Sequence, residues 1–284
     1  MSKTVPVVAP TLEEFEIAHE NVAQVAIQTP VLHSHYLSEL VGNDVFLKCE
    51  NLQRTGAYKL RGAFNRMSKL SAAERKMGVV AASAGNHAQG VALAAKKLGI
   101  KATIFMPVGA SLPKFQATQN YGAEVVLEGA VFAETLKAAQ AYSAQKGAIF
   151  IPPYDNIDVV TGQGTVGLEI LDQVPDVQTI LVSIGGGGLA AGVAVAAKLK
   201  AAQQGRKIKV IGVQSQNAAS YVPSLKAGKE IEIKTERTIA DGIAVAKPGH
   251  IPFELISKHI DKVVTVSDDE IAKAIVVLLE RSKQ

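Results

Sequence analysis

The chain has 284 residues, 48% hydrophobic and 20% charged, which is enough apolar material for a core and long enough for two lobes. The charge balance, 30 Lys and Arg against 26 Asp and Glu, gives +4 without long basic clusters, and no tryptophan with 5% aromatics leaves little to stack on nucleic acid. No apolar run approaches the roughly 20 residues of a membrane span, Met1-Ser2-Lys3-Thr4-Val5-Pro6 lacks a signal-peptide apolar region, and the lone Cys49 excludes an intramolecular disulfide framework or a multi-cysteine zinc site. A soluble protein of a reducing cytoplasm is expected, with no membrane or nucleic-acid partner and with Cys49 as a buried small hydrophobe at a strand end.

Thr11-Leu12-Glu13-Glu14 is a capping box that opens a helix to about Val25. A short strand follows over 45–48. The stretch 78–82 reads as a strand, then a turn and a helix over 87–98. A strand over 102–106, a helix near 112–121, a strand over 124–127, a helix over 132–145 and a strand over 148–151 complete a run of βαβ units. Pro152-Pro153 stops that run as a lobe boundary would. A second series has a helix over 164–173, a strand over 179–183, a helix over 189–202 and a strand over 209–214. After a looser stretch comes a strand over 262–266, and Ser267-Asp268-Asp269-Glu270 caps the last helix. This alternation predicts an α/β chain with parallel sheets covered by helices on both faces.

Three segments carry chemistry. Gly185-Gly186-Gly187-Gly188, between a strand and a helix beginning at Leu189, gives a backbone that can approach a ligand closely and aim several N–H groups at an anion. A dinucleotide is a poor fit, because the next strand ends Gly212-Val213-Gln214 without the acidic residue a ribose requires, and no Walker sequence is present. Ser83-Ala84-Gly85-Asn86-His87 offers Ser and Asn side chains beside free N–H groups at a helix start, suited to a carboxylate or a phenolic oxygen; ordinary helix capping is its plain alternative. His87 reads as structural rather than basic, and the six histidines show no metal-ligand spacing. Lys59 sits where a loop becomes a helix, where the positive dipole end favours the neutral amine that Schiff-base chemistry needs. A phosphate cup, an Asn/Ser turn and a placed lysine together suit pyridoxal 5'-phosphate, with its phosphate, phenolic oxygen and aldehyde.

The segment Glu50-Asn51-Leu52-Gln53-Arg54-Thr55-Gly56-Ala57-Tyr58-Lys59-Leu60-Arg61-Gly62-Ala63 resembles the lysine signature of the pyridoxal-phosphate-dependent serine/threonine dehydratases. Ser83-Ala84-Gly85-Asn86-His87-Ala88-Gln89-Gly90 and the glycine run through Leu189 resemble the family's other two signatures, and Pro152-Pro153-Tyr154-Asp155 and Ala240-Asp241-Gly242 are also similar. The likeness covers nearly the whole chain and is greatest to the catabolic-type threonine dehydratases, or threonine ammonia-lyases. It implies the tryptophan-synthase-β-like fold (fold type II), with two open, twisted, mostly parallel sheets flanked by helices. A smaller mobile lobe is implied over 68–153, between stretches 1–67 and 154–284 of a larger cofactor-binding lobe.

The resemblance further implies the roles of single residues. Lys59 would form the Schiff base and, once freed, remove the α-proton. Asn86 would hydrogen-bond the phenolic oxygen. Gly185, Gly186, Gly187, Gly188 and Leu189 would hold the phosphate. Ser83, Asn86 and His87 would receive the substrate carboxylate. Threonine would give 2-oxobutanoate and ammonia, and serine pyruvate and ammonia. A homodimer or homotetramer is expected. By analogy an adenine nucleotide effector would meet Arg54, Thr55, Gln89 and Tyr121 at a subunit interface. The divalent-cation site of serine racemases would fall on Gln214 and Ser220, which are not carboxylates, so no metal is expected.

Three departures qualify the resemblance. Ala57-Tyr58 stands where many relatives have Ser-Phe, and Ala84 where serine racemases have a second serine. Relatives also continue past the position of Gln284 with a glycine-rich segment and a strand bearing Ser-Gly-Gly-Asn, so the larger lobe's C-terminal part is expected to lie outside these residues. A serine racemase or hydroxyaspartate dehydratase on the same scaffold, or a truncated non-catalytic pyridoxal-phosphate-binding protein, are the alternative readings.

Overall fold

A computed structural model describes residues 6–283; the part of the signal-peptide reading that concerns residues 1–5 lies outside them. In chain order the elements are α1 (Leu12–Ala23), β1 (Val31–His33), α2 (His35–Val41), β2 (Phe46–Lys48), α3 (Lys59–Ser68), α4 (Ala72–Met77), β3 (Val79–Ala82), α5 (Asn86–Leu98), β4 (Ala102–Met106) and α6 (Leu112–Asn120). There follow β5 (Glu124–Leu127), α7 (Phe132–Lys146), β6 (Ile149–Phe150), α8 (Ile157–Gln173), β7 (Thr179–Ser183), α9 (Gly188–Gln203), β8 (Lys209–Ser215), α10 (Tyr221–Ala227), α11 (His250–His259), β9 (Lys262–Val266) and α12 (Asp268–Val277). The chain groups into two compact units, one of Glu14–Ile27 and Glu50–Thr165, the other of Met1–Glu13, Gln28–Cys49 and Val166–Gln284.

The first unit holds a four-stranded parallel sheet in the order β5-β4-β3-β6. Both β3 and β4 are buried at every residue, as continuous apolar runs in a helix-covered parallel sheet must be. The period-2 alternation of a strand divides β3 between two cores. Val79 and Ala81 pack with Leu60, Met67, Val91 and Ile104, while Val80 and Ala82 pack on the other face with Phe105, Ala139 and Ala148. Each fully buried side chain of the size of Leu60 contributes about 2 kcal/mol. Because α3 packs along α5, it groups with this sheet.

The second unit holds a three-stranded parallel sheet, β7-β8-β9, and the antiparallel pair β1-β2. Helix α9 is almost wholly buried through small residues, among them Ala190, Ala191, Ala194 and Ala197, and packs on α11. Lys48 points all three donors at acceptors, donating to Glu169 Oε2, to Gln173 Oε1 at 2.8 Å and to the Thr29 carbonyl at 2.8 Å. Cys49 lies directly after β2 and is 3% exposed, its Sγ donating to the Leu47 carbonyl at 3.4 Å. The capping box at Ser267 forms as expected, with the Glu270 N–H on Ser267 Oγ and the Glu270 carboxylate on the Ser267 N–H.

The α/β architecture with parallel sheets is the one expected, and β4, β5, β7 and β9 fall at the expected residues. Helix α8 instead begins at Ile157, seven residues before the start expected at Gly164, and runs through three glycines. One of these is a packing residue rather than a breaker: a Cβ on Gly162 would lie 2.7 Å from the Arg61 carbonyl oxygen and 2.7 Å from Gly62 Cα. The looser stretch after β8 contains α10 and α11. Among the described residues no helix is long and apolar enough to cross a membrane.

Candidate cofactor and substrate site

Lys59 is the first residue of α3, and its Nζ donates to the Pro153 carbonyl at 2.9 Å. Proline has no N–H, so the Pro152-Pro153 segment cannot extend β6 by continued strand pairing. Three neighbours fix the start of α3. Arg61 is fully buried and forms a bidentate pair with Glu50, Nε to Oε2 at 2.9 Å and Nη2 to Oε1 at 2.8 Å, while Nη1 donates to Thr165 Oγ1 at 3.2 Å. The Gly62 N–H donates to Gln163 Oε1 at 3.1 Å. A Cβ on Gly90 of α5 would lie 3.0 Å from both the Leu60 nitrogen and the Lys59 carbonyl carbon, so only glycine lets α5 come this close.

The turn after β3 is held by the Ser83 N–H on the Phe105 carbonyl at 3.0 Å, and Ser83 Oγ accepts from the Gly85 N–H at 3.1 Å. Helix α5 starts at Asn86 with no side-chain cap and no acidic residue in its first turn, so ordinary capping is not what Ser83 and Asn86 do. Asn86 is exposed. His87 is buried, and its ring turns away to donate Nε2–H to the Ile151 carbonyl at 2.8 Å. Burial, with the Lys59 charge adding to it, pushes the imidazole down to about 3, against the smaller opposing effect of the Ile151 hydrogen bond. His87 is thus a neutral structural residue, and what it can offer an anion is its backbone N–H in the first turn of α5.

In the second unit β7 leads into Gly185-Gly186-Gly187-Gly188 and α9. Gly187 takes φ +100°, a left-handed conformation that glycine adopts without strain. Helix α9 likewise has no side-chain cap and no acidic first-turn residue, and the N–H groups of Gly188, Leu189 and Ala190 have no acceptor inside the helix. The loop is packed from behind. A Cβ on Gly185 would lie 3.0 Å from Ile243 Cα, and one on Gly187 would collide with Tyr221 Oη and lie 2.8 Å from Pro252 Cβ.

The sequence-predicted residues therefore divide. Lys59, Ser83, Asn86 and His87 are in the first unit, and Gly185 to Gly188 with Leu189 are in the second. Of the nucleotide-effector candidates, Tyr121 Oη donates to the Arg54 carbonyl at 3.1 Å, which joins those two residues. Thr55 is buried, with its hydroxyl on the Ala57 carbonyl at 3.3 Å, and Gln89 is half-buried on α5. At the position of the racemase cation, the fully buried Gln214 donates its amide to the carbonyls of Ile184 and Ala218, each at 3.3 Å. No group of three or more His, Cys, Asp or Glu among the described residues could hold a metal ion. The contacts of Arg61, Pro153 and Tyr221 with Glu50, Lys59 and Gly186 were not expected from the sequence. Arg61 stands inside the lysine signature and Pro153 inside the Pro152-Pro153-Tyr154-Asp155 segment, whereas nothing local marks Tyr221.

Each unit, taken by itself, has chemistry that suits part of pyridoxal phosphate. The first has a primary amine with a neutral acceptor and a helix start free of side-chain caps and first-turn carboxylates; the second has a glycine loop at a helix start equally free of them. Comparison with known proteins agrees. The family described as pyridoxal-phosphate dependent enzyme matches residues 22–284. An L-threonine ammonia-lyase of Thermotoga maritima is 49% identical over 273 residues, covering 96% of this chain and 67% of that protein. The catabolic L-threonine dehydratase of Escherichia coli is 45% identical over 266 residues, covering 94% of this chain and 80% of that protein. Among solved structures, the processed form of threonine deaminase isoform 2 from Solanum lycopersicum is 38% identical with a TM-score of 0.91, covering 100% of this chain and 85% of that one. Maize serine racemase is 35% identical with a TM-score of 0.93, covering 98% and 83%.

Proposed function

The chain belongs to the pyridoxal-phosphate-dependent serine/threonine dehydratase family of fold type II, and from that membership we propose that it converts L-threonine to 2-oxobutanoate and ammonia, and L-serine to pyruvate and ammonia. The observation that carries this reading is the Lys59 amine, set at the start of α3 by a buried ion pair and hydrogen-bonded to a neutral carbonyl. Bound pyridoxal phosphate supplies a ring that withdraws electrons from the substrate α-carbon.

The protein's own residues do the rest. Lys59 would hold the cofactor at its aldehyde carbon, and its free amine would take the proton from the substrate α-carbon. The Pro153 carbonyl, which accepts from Lys59 Nζ at 2.9 Å, would keep an N–H of the resulting ammonium in place. Ser83 and the first-turn N–H groups of α5 would bind the substrate carboxylate, and the exposed Asn86 side chain would donate to the cofactor's phenolic oxygen. Gly185 to Gly188 and Leu189 would hold the phosphate. The neutral His87 keeps the 151–153 segment docked and moves no proton.

The likeness to maize serine racemase favours a second reading, racemisation of serine. Ala84 opposes it, since a methyl group carries no proton to deliver to the opposite face. Incubation of the purified protein with L-threonine and with L-serine, followed by quantification of 2-oxo acid, ammonia and D-serine, separates the two. Stoichiometric 2-oxo acid and ammonia support the lyase; D-serine without 2-oxo acid overturns it. The effector and oligomer expectations belong to the same proposal, and the former is tested by AMP binding to the wild type and to Arg54→Ala.

A further inference from the structure

We infer that Tyr221 and Gln214 form a buried brace that turns two peptide planes of the glycine loop so that their N–H groups face the cofactor phosphate. The inference rests on the pyridoxal-phosphate reading above. Both side chains are fully buried. Tyr221 Oη donates to the Gly186 carbonyl at 3.1 Å, and the Gly249 N–H donates to the same oxygen at 3.1 Å. Gln214 Nε2 donates to the Ile184 carbonyl at 3.3 Å. The two braces are joined, because the Tyr221 N–H donates to Gln214 Oε1 at 3.0 Å.

A trans peptide is planar, and its C=O and the following N–H point in opposite directions. Holding the Gly186 carbonyl against Tyr221 therefore aims the Gly187 N–H away from Tyr221. Holding the Ile184 carbonyl against Gln214 aims the Gly185 N–H away from Gln214 in the same manner. A glycine loop left to itself samples many orientations of these planes, and that freedom is lost on binding an anion. The brace removes the freedom beforehand, so the loop meets the phosphate already shaped. Tyr221 is a positioning residue that acts through Gly186. The collision of a Gly187 Cβ with Tyr221 Oη shows how closely the phenol presses on the loop.

The test compares pyridoxal phosphate with pyridoxal, which lacks the phosphate, in titrations of cofactor-free protein. Wild type should prefer pyridoxal phosphate strongly. In Tyr221→Phe that preference should fall about tenfold, with pyridoxal affinity within about twofold of wild type and an altered ³¹P resonance of the bound phosphate. The variant should fold, because the Gly186 carbonyl keeps the Gly249 donor. Gly249→Pro is a second variant that deletes this other donor, at a φ of −67° that proline adopts. It should lower the preference in the same direction. A wild-type preference retained in both variants overturns the brace, as does equal weakening of both ligands. A wild type with no preference for the phosphorylated ligand overturns the cofactor reading and the brace with it.

Discussion

His87 donates its Nε2–H to the carbonyl of Ile151 at 2.8 Å, two residues before the carbonyl that takes the Lys59 amine. One short segment thereby fixes a buried neutral imidazole and receives the Lys59 amine. Burial, and the charge of Lys59 after it, oppose protonation of His87.

This arrangement makes stability depend on pH. The folded value of His87, about 3, lies below the ordinary 6.5, so below pH 6.5 the unfolded chain takes up a proton that the folded chain refuses. The contribution is complete above pH 6.5 and is lost as pH falls towards 3. Between pH 7 and pH 4.5 wild type should lose about 3 kcal/mol more unfolding free energy than His87→Asn, at 1.36 kcal/mol per pKa unit. Urea denaturation of both proteins at the two pH values measures it. Equal losses would show that His87 does not govern the acid sensitivity.

Lys59→Ala should lower threonine turnover by at least about 10³-fold and abolish the violet absorbance of lysine-bound pyridoxal phosphate. Its effect on stability should stay within about 1 kcal/mol, since the side chain is only half-buried and its hydrogen bond reaches one carbonyl. Absorbance spectra, a coupled 2-oxo acid assay and a thermal melt are sufficient. Normal turnover in the variant would move the chemistry to another residue.

Gly90→Ala tests how α5 sets the position of Lys59. The added methyl would sit 3.0 Å from main-chain atoms of Lys59 and Leu60, which cannot yield as a flexible side-chain end does. A loss of about 1–3 kcal/mol in stability is expected, with kcat down by about tenfold because the displaced atoms belong to Lys59 itself. An unchanged kcat in a destabilised variant would show that α3 tolerates the shift.

Ala84 packs against the apolar core of the first unit, and its methyl group carries no exchangeable proton. Wild type should make pyruvate from L-serine with little D-serine. Ala84→Ser should raise the ratio of D-serine to pyruvate several-fold, as read by chiral chromatography beside a pyruvate assay. Efficient D-serine formation by the wild type would require an acid on the opposite face other than residue 84.

The features legible in the sequence are the local ones. The strands β4, β5, β7 and β9 are short apolar runs between turn residues, and their limits follow from that pattern. The glycine loop and Lys59 are visible because four consecutive glycines are too costly for an ordinary connection, and because Lys59 lies within a long, distinctive signature. The start of α8 is not legible, because the first turns, before Gly164, carry a glycine at Gly162 whose place is set by close packing against α3 rather than by local pattern. The complete burial of Arg61 is not legible either, because it depends on Glu50, Thr165 and the Ile27 carbonyl converging from three separate stretches. Tyr221 is hidden for the same reason. It lies in a stretch without clear periodicity, and its importance comes from Gly186, 35 residues earlier.

The buried position of Cys49 makes the protein its own reporter. The chain has one thiol, closed to solvent in the folded state, so an alkylating reagent can label it only when the segment after β2 opens. Labelling kinetics on the unmodified wild type thus follow one opening event at one place. Comparing the labelling rate with and without bound cofactor would show whether filling the site slows an opening within the glycine-loop unit.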